Sequence, residues 1–348
     1  MAWIEHLRIR GLRNLAAVEL SLSEGHVCLV GGNGAGKTSL LEAVYLVNRG
    51  GSFRGRRHGP VVMHGAAGAS IDLAGYQGGH AVRRQWRSEL GVVTRETGLP
   101  VRLVGSAMHA LVEGDPELRR RFIDWNVFHV EHGLAELRSR LRRSAAQRNA
   151  WLRAGGQGAA IWDAEYAAAL SILAKVRADL LDRLRQAFHT LALELGVLDG
   201  LELVWRSDIP TDPDQTLAVL QRQLPGDVGR GYTYLSASRG DFCLQRDGTT
   251  WVGSRGQNKT AGVLLQLAAD RVVREQYPEP SIWLVDDLPA ELDRERQALL
   301  YGAIRAASTQ VLSTALESPG SAVRQAGMQV FHVEHGTVRS MPSLRAVV

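Results

Sequence analysis

The chain has 348 residues and carries its positive charge almost wholly on arginine; lysine occurs only at 37, 175 and 259. Lys37 and Lys259 fall in polar, glycine-rich strings, GGNGAGKT and GSRGQNK. Gly31 to Thr38 has the spacing G-x-x-x-x-G-K-[ST]. Gly31, Gly32, Gly34 and Gly36, with Asn33 and Ala35 between them, allow backbone N–H groups to close around a phosphate, and the positive end of a following helix adds attraction. In such a loop the Lys37 ammonium reaches the β- and γ-phosphates and the Thr38 hydroxyl ligates Mg²⁺. Ser39 belongs to the same binding set. The chemistry is capture of a nucleoside triphosphate, ATP with Mg²⁺; the bland reading is a glycine-rich turn capping a helix.

Two further strings decide the class. Ile282-Trp283-Leu284-Val285-Asp286-Asp287 is four apolar residues ending in two carboxylates. Asp286 at the tip of a buried strand completes a Mg²⁺ shell, and Asp287 beside it polarises an attacking water. A strand ending in a solvated acidic turn is the structural reading of the same residues. Upstream, Ser254-Arg255-Gly256-Gln257 opens a run with helical periodicity over 260–273. It resembles the signature motif of ABC-type ATPases, in which a serine hydroxyl and a helix N-terminus bind the γ-phosphate of ATP held by another subunit. Glu291-Leu292-Asp293 matches the D-loop of those dimers.

These groups need elements to hold them. Alternation at Ile4, Leu7 and Ile9, then Val18, Leu20 and Leu22, predicts two antiparallel strands joined at 11–14. A buried strand over 27–30 runs into the loop, and LLEAVYLV after it suits a helix. Further strands are expected over 70–76, 81–87 and 101–104. Residues 115–195 are rich in Ala, Leu and Arg, with a start signal at Asp115-Pro116-Glu117 and a break at 155–158. They read as at least two long helices inserted between the halves of an α/β domain. Strand character returns at 201–205, 242–246, 282–285, 311–313 and 330–333. FHVEH occurs at 128–132 and 331–335 without a surrounding repeat, and reads as chance.

With these motifs in this order, the sequence resembles the RecF family. The resemblance lies in LRIRGLRNL, GGNGAGKTSLLEAVYLVNRGGSFR, GDPELRRRFIDWNVFHVE, SRGQNK and LVDDLPAELD. The 114–131 segment separates this family from ABC transporters and long coiled-coil SMC proteins. The implied fold is an α/β, ABC-type ATPase head, a mixed sheet with a phosphate loop, carrying an inserted helical arm. Its parts would be 1–107 with the phosphate loop, 108–200 as the arm, and 201–348 with the signature, acidic strand and D-loop. The resemblance also implies an ATP-dependent homodimer on DNA at single-strand/double-strand junctions, working with RecR and RecO to load RecA, with weak, DNA-stimulated ATP hydrolysis. By position it sets Arg13 and Asn14 near the nucleotide, and Thr314 where transporters keep a switch histidine. SASRGD at 236–241 departs from the family's Gly-Pro-His-Arg-like run, leaving Arg239 as its surviving cation.

Other features read blandly. His129 and His132 lack the further ligands a zinc site needs. Arg119 to Arg121 and the arginines between 138 and 148 face either DNA or nearby carboxylates. The eight tryptophans are scattered and read as core. A net charge of +5 fits a polyanionic partner. Two cysteines, an opening without the apolar core of a signal peptide and the absence of a long apolar run predict a reduced, cytoplasmic protein with no membrane partner. An ABC-type ATPase of another assembly, transporter or defence system, and a non-hydrolysing scaffold remain open on the motifs alone. The 114–131 segment argues against the first. The short arm of Asp287 gives the second some weight, and in any case predicts slow turnover.

Overall fold

The structure, a computed structural model, describes residues 1–54, 60–93, 98–130, 133–157, 161–288, 292–317 and 328–341, without the side chains of 106, 107 and 128–130. His132, Pro289 and Glu291, and the side chain of His129, therefore lie outside the described residues. The alternating opening forms β1 (Trp3–Leu12) and β2 (Leu15–Ser21), followed by β3 (Gly25–Val30) and, after the glycine loop, α1 (Lys37–Arg49). Next come β4 (Ser70–Gln77), β5 (His80–Arg87), β6 (Gly91–Val92) and β7 (Val101–Val104). The middle of the chain holds α2 (Ala110–Glu113), α3 (Pro116–Val130), α4 (Leu134–Arg153), α5 (Asp163–Glu194), β8 (Glu202–Arg206), α6 (Pro213–Arg230), β9 (Asp241–Arg246), β10 (Thr249–Thr250) and α7 (Arg255–Arg274). The last elements are β11 (Ser281–Val285), α8 (Arg294–Ala306), β12 (Ser308–Ala315), β13 (Gln329–Glu334) and β14 (Thr337–Ser340).

Contacts divide the chain into two units, Met1–Met108 with Tyr277–Val348, and His109–Gln276. Residues 201–276, expected from the sequence in the C-terminal half of the ATPase lobe, thus group with the helices of 109–200.

The first unit contains two sheets. One is antiparallel, ordered β2-β1-β4-β5-β6, with Ile9 opposite Val18 on one side and Ile71 on the other. The second is ordered β14-β13-β3-β12-β11-β7, and all its pairings except β13–β14 are parallel. Parallel strands buried on both faces favour continuous apolar runs over alternation, as β11 shows with all five residues buried. One cluster of buried residues joins Ile4, Leu7 and Ile9 of β1, Leu40, Leu41, Val44 and Val47 of α1, and Ile282 and Leu284 of β11. Gln310 of β12 ties the sheets further, since its buried amide accepts from the Ile4 N–H at 2.9 Å and donates to the Ile4 and Ser23 carbonyls at 2.9 and 2.8 Å.

In the second unit the 32-residue α5 is the central rod, burying Leu170, Leu173, Leu180, Leu184 and Phe188 against its neighbours. It packs on α3, α4, α6 and α7, and on β8 of the sheet β10-β9-β8. Its arginines are largely internal partners. Arg148 of α4 is fully buried and donates to Asp163 at 2.7 Å, Asp227 at 2.9 Å and Thr233 at 2.7 Å. Arg119 grips Asp241 with two bonds of 2.7 Å, and Arg177 grips Asp124. Arg138 and Arg140 pair with Asp124 and Glu165. For Arg119, Arg138, Arg140 and Arg148 the sequence clusters thus hold ion-pair partners of carboxylates.

Candidate functional site

The glycine loop links β3 to α1 on the first unit, and its glycines have specific causes. Gly36 caps α1 with φ of 119°, and a Cβ there would lie 2.9 Å from Leu15 Cδ2 and 3.1 Å from Asn14 Nδ2. At Gly31 a Cβ would run into the Val333 carbonyl. Asn14, in the β1–β2 turn, braces the loop from outside: its amide donates to the Gly34 carbonyl at 3.0 Å and its oxygen accepts from Ser39 at 2.9 Å. The loop is therefore preformed, with Asn33 and Gly34 exposed at its tip.

Lys37 folds back along the loop, donating to the carbonyls of Gly31 and Gly32 at 2.7 and 2.8 Å. Burial lowers its pKa, opposed by the charges of Asp286 and Asp287. The acidic strand arrives from the other half of the sequence. Thr38 Oγ1 donates to Asp286 Oδ1 at 3.0 Å, and Thr314 Oγ1 of β12 donates to the same oxygen at 3.0 Å. Burial raises the Asp286 pKa and the adjacent Asp287 raises it further, against the lowering effect of hydrogen bonds from Thr314 and Thr38. Asp287 is exposed, has a left-handed backbone with φ of 53°, and donates its N–H to Thr314 Oγ1 at 3.0 Å.

These groups line one cleft of about 620 Å³, together with Arg13, Asn33, Arg54 and His64. A hydroxyl and a carboxylate 3.0 Å apart are hard oxygen donors of the kind Mg²⁺ takes, so Thr38 and Asp286 fit a metal site. Among the described residues there is no cluster of His, Cys, Asp and Glu that could hold a metal by itself.

Arg13 lines the cleft, but its guanidinium is held by Glu42: Nε and Nη2 donate to the two carboxylate oxygens at 3.0 and 2.7 Å, and Nη1 donates to the Pro60 carbonyl at 2.9 Å. Glu42 is fully buried on α1, also accepts from Ser52, and has Arg54 at 3.6 Å. Glu42, Ser52 and Arg54 are missing from the motif reading. Their signal is faint, a lone carboxylate in the apolar run LLEAVYLV.

Ser254, Arg255, Gly256 and Gln257 belong to the other unit, at the start of α7. Ser254 is the N-cap in a capping box, accepting from the Gln257 N–H at 3.3 Å while Gln257 Oε1 accepts from the Ser254 N–H at 2.9 Å. Ser254, Arg255 and Gln257 are exposed on their unit. Asp293, at the end of the D-loop string, caps α8 through the Arg296 N–H at 2.7 Å. Arg239 stacks on the Tyr234 ring, 3.7 Å from its centre. No helix among the described residues is long and apolar enough to cross a membrane.

The model of the AAA domain matches residues 6–59, the stretch holding the glycine loop. A solved structure of the recombination mediator protein RecF with ATP in the RecFOR pathway superposes with a TM-score of 0.81 at 21% identity, covering 98% of each chain. An Smc head bound to the C-winged helix domain of ScpA gives 0.53 at 14% identity, again over 98% of each chain. These likenesses show the ABC-type head fold. In sequence, the DNA replication and repair protein RecF of Stutzerimonas stutzeri is 33% identical over 97% of both chains. That of Stenotrophomonas maltophilia is 34% identical over 97% of this chain and all of its own. Similar to such relatives over almost its whole length, the chain belongs to the RecF family of DNA replication and repair proteins.

Proposed function

We propose that the chain binds and slowly hydrolyses Mg-ATP, closes into a homodimer on DNA at single-strand gap junctions, and works with RecR and RecO in loading RecA in the cytoplasm. The observation that carries the site is the meeting of Thr38, Asp286 and Thr314 at one carboxylate oxygen beside the Lys37 loop. A half-buried acid, two hydroxyls and a lysine at the mouth of a glycine loop support a phosphate-and-metal site. Gly31 to Ser39 hold the phosphates, with Lys37 leaving its carbonyl partners to meet the β/γ oxygens. Thr38 and Asp286 would hold Mg²⁺, which would supply charge neutralisation at the phosphates. Asp287 orients and polarises the attacking water.

The dimer reading rests on the other unit. A helix N-terminus carrying an exposed serine suits an anion presented by a second copy, since the positive end of the helix dipole attracts negative charge. Membership of the RecF family supports DNA and the RecFOR proteins as partners. Sedimentation of the pure chain, with and without Mg-ATP, on gapped and on continuous duplex, tests the whole reading. Mg-ATP should double the mass, and gapped DNA should retain the dimer better than duplex. A chain that stays monomeric with Mg-ATP and gapped DNA refutes the clamp.

A further inference from the structure

Thr314 lies on the central strand β12, paired with Leu29 of β3, and is 2% exposed. A buried hydroxyl has one hydrogen to give and two lone pairs to receive with. Thr314 commits the hydrogen to Asp286 Oδ1 and a lone pair to the Asp287 N–H, both at 3.0 Å. A single side chain therefore fixes the carboxylate of one acid and the backbone of the next. The bond also pins Asp287 at a φ of 53°, in the left-handed region that Asp enters more readily than most side-chain-bearing residues but still only occasionally. Asp286 has a second hydroxyl donor on the same oxygen, Thr38, which the reading of the site assigns to the metal. Thr314 is the hydroxyl that also holds the Asp287 N–H, at 3.0 Å.

We infer that Thr314 is the positioning residue of the site, orienting Asp286 for the metal and Asp287 for water through one hydroxyl. The inference rests on the Mg-ATP reading above and adds the residue that couples its two acids. A structural role alone would need the β-branched shape of threonine. A positioning role needs the oxygen. Valine keeps the shape and removes the oxygen, and serine does the reverse.

The test compares Thr314→Val, Thr314→Ser and Thr314→Ala with the parent chain. It measures thermal melting, binding of a fluorescent ATP analogue in EDTA and across a Mg²⁺ titration, and kcat. Thr314→Val should bind nucleotide in EDTA like the parent, need about tenfold more Mg²⁺ for tight binding, and lose roughly tenfold or more in kcat, as expected when two internal hydrogen bonds go. Thr314→Ser should restore both the Mg²⁺ dependence and kcat. If Thr314→Val does not fold, the serine and alanine pair decides: the inference requires serine to behave like the parent and alanine to show the Mg²⁺ shift. Parental Mg²⁺ dependence in the chains lacking the hydroxyl, or equal losses in serine and alanine, overturns the inference. So does nucleotide binding lost in EDTA together with stability. A parent chain that shows no Mg²⁺-dependent binding overturns the reading of the site, and this inference with it.

Discussion

The Arg13–Glu42 pair offers a prediction with a magnitude. Glu42 is fully buried and the Arg13 side chain is 8% exposed, so the pair is barely screened by solvent. Removing one partner of such a pair leaves an uncompensated buried charge, at a cost of roughly 3–5 kcal/mol. Arg13→Met should lie at the low end, because Glu42 keeps Ser52 and has Arg54 at 3.6 Å. Glu42→Leu removes both carboxylate acceptors of the guanidinium while the Pro60 carbonyl stays. For a unit of this size each kcal/mol shifts the melting temperature by roughly 2–4 °C, so either single change should lower it by on the order of 10 °C. Arg13→Met combined with Glu42→Leu replaces charge by apolar volume at both positions, and should melt above either single variant. Because Asn14 adjoins Arg13 and clamps Gly34 and Ser39, nucleotide affinity should fall in Arg13→Met and partly recover in the double variant. Thermal melts of all four chains, with an ATP titration of each, make the cycle. Additive losses in the double variant would refute the pairing energy, and a parental melt for Arg13→Met would refute the buried charge.

Three further outcomes follow from the site and the sheet behind it. Asp287→Asn should retain Mg-ATP and a long-lived dimer by light scattering while phosphate release falls to background, whereas Asp286→Asn should raise the Mg²⁺ requirement instead; parental turnover in Asp287→Asn moves the water-polarising role elsewhere. His26, bonded to Ser313 at 2.7 Å, has its pKa pushed down from 6.5 to about 4 by burial and then by Arg305. Below pH 6.5 the unfolded chain takes the proton first, so stability should be full above 6.5 and fall by about 3 kcal/mol as pH drops toward 4. Denaturant titrations at several pH values should show His26→Gln losing that acid limb, and an unchanged limb sinks the assignment. Ser254→Arg should bind ATP yet fail to dimerise, and mixing it with Lys37→Ala should rebuild one sound composite site and partly restore ATP-driven association in sedimentation; Ser254→Arg dimerising normally would remove the in-trans role.

The two halves of the site differed in how openly the sequence wrote them. Backbone chemistry is local, so GGNGAGKT announces its loop, and the capping box of Ser254 and Gln257 is written three residues apart. Thr38 and Asp286 lie 248 positions apart, yet both were legible, because a phosphate loop demands an acid at a strand tip and IWLVDD supplies one. Arg13 was legible by position, since it lines the cleft, but its partner was not. A cation beside a phosphate site invites a phosphate contact, and only the fold shows that Glu42, unremarked inside an apolar helix, holds it. The arginines of the helical unit show the same limit. Arg119–Asp241 and Arg177–Asp124 span 122 and 53 positions, and no spacing rule reaches so far. Helix α6 hides behind Pro225, which reads as a breaker though Asp212 and Pro213 give it a sound start.

The extent of the helical unit was hidden for a related reason. Strand character at 201–205 and 242–246 suggests a return to the first sheet, because strands of an α/β domain are expected to pair together. Instead β8 and β9 pair with each other, Trp205 opposite Phe242, and form a small sheet on α5 within the second unit. The signature helix α7 packs along the same α5. The serine proposed to meet a second copy's ATP is thus built on the unit that carries the arm helices, while the phosphate loop, Asp286 and Asp287 belong to the other. Substitutions along the α5–α7 seam, such as Arg183→Ala, which removes a bond to the Val272 carbonyl of α7 and a pair with Glu275, should therefore weaken ATP-driven association in sedimentation more than they weaken binding in a nucleotide titration.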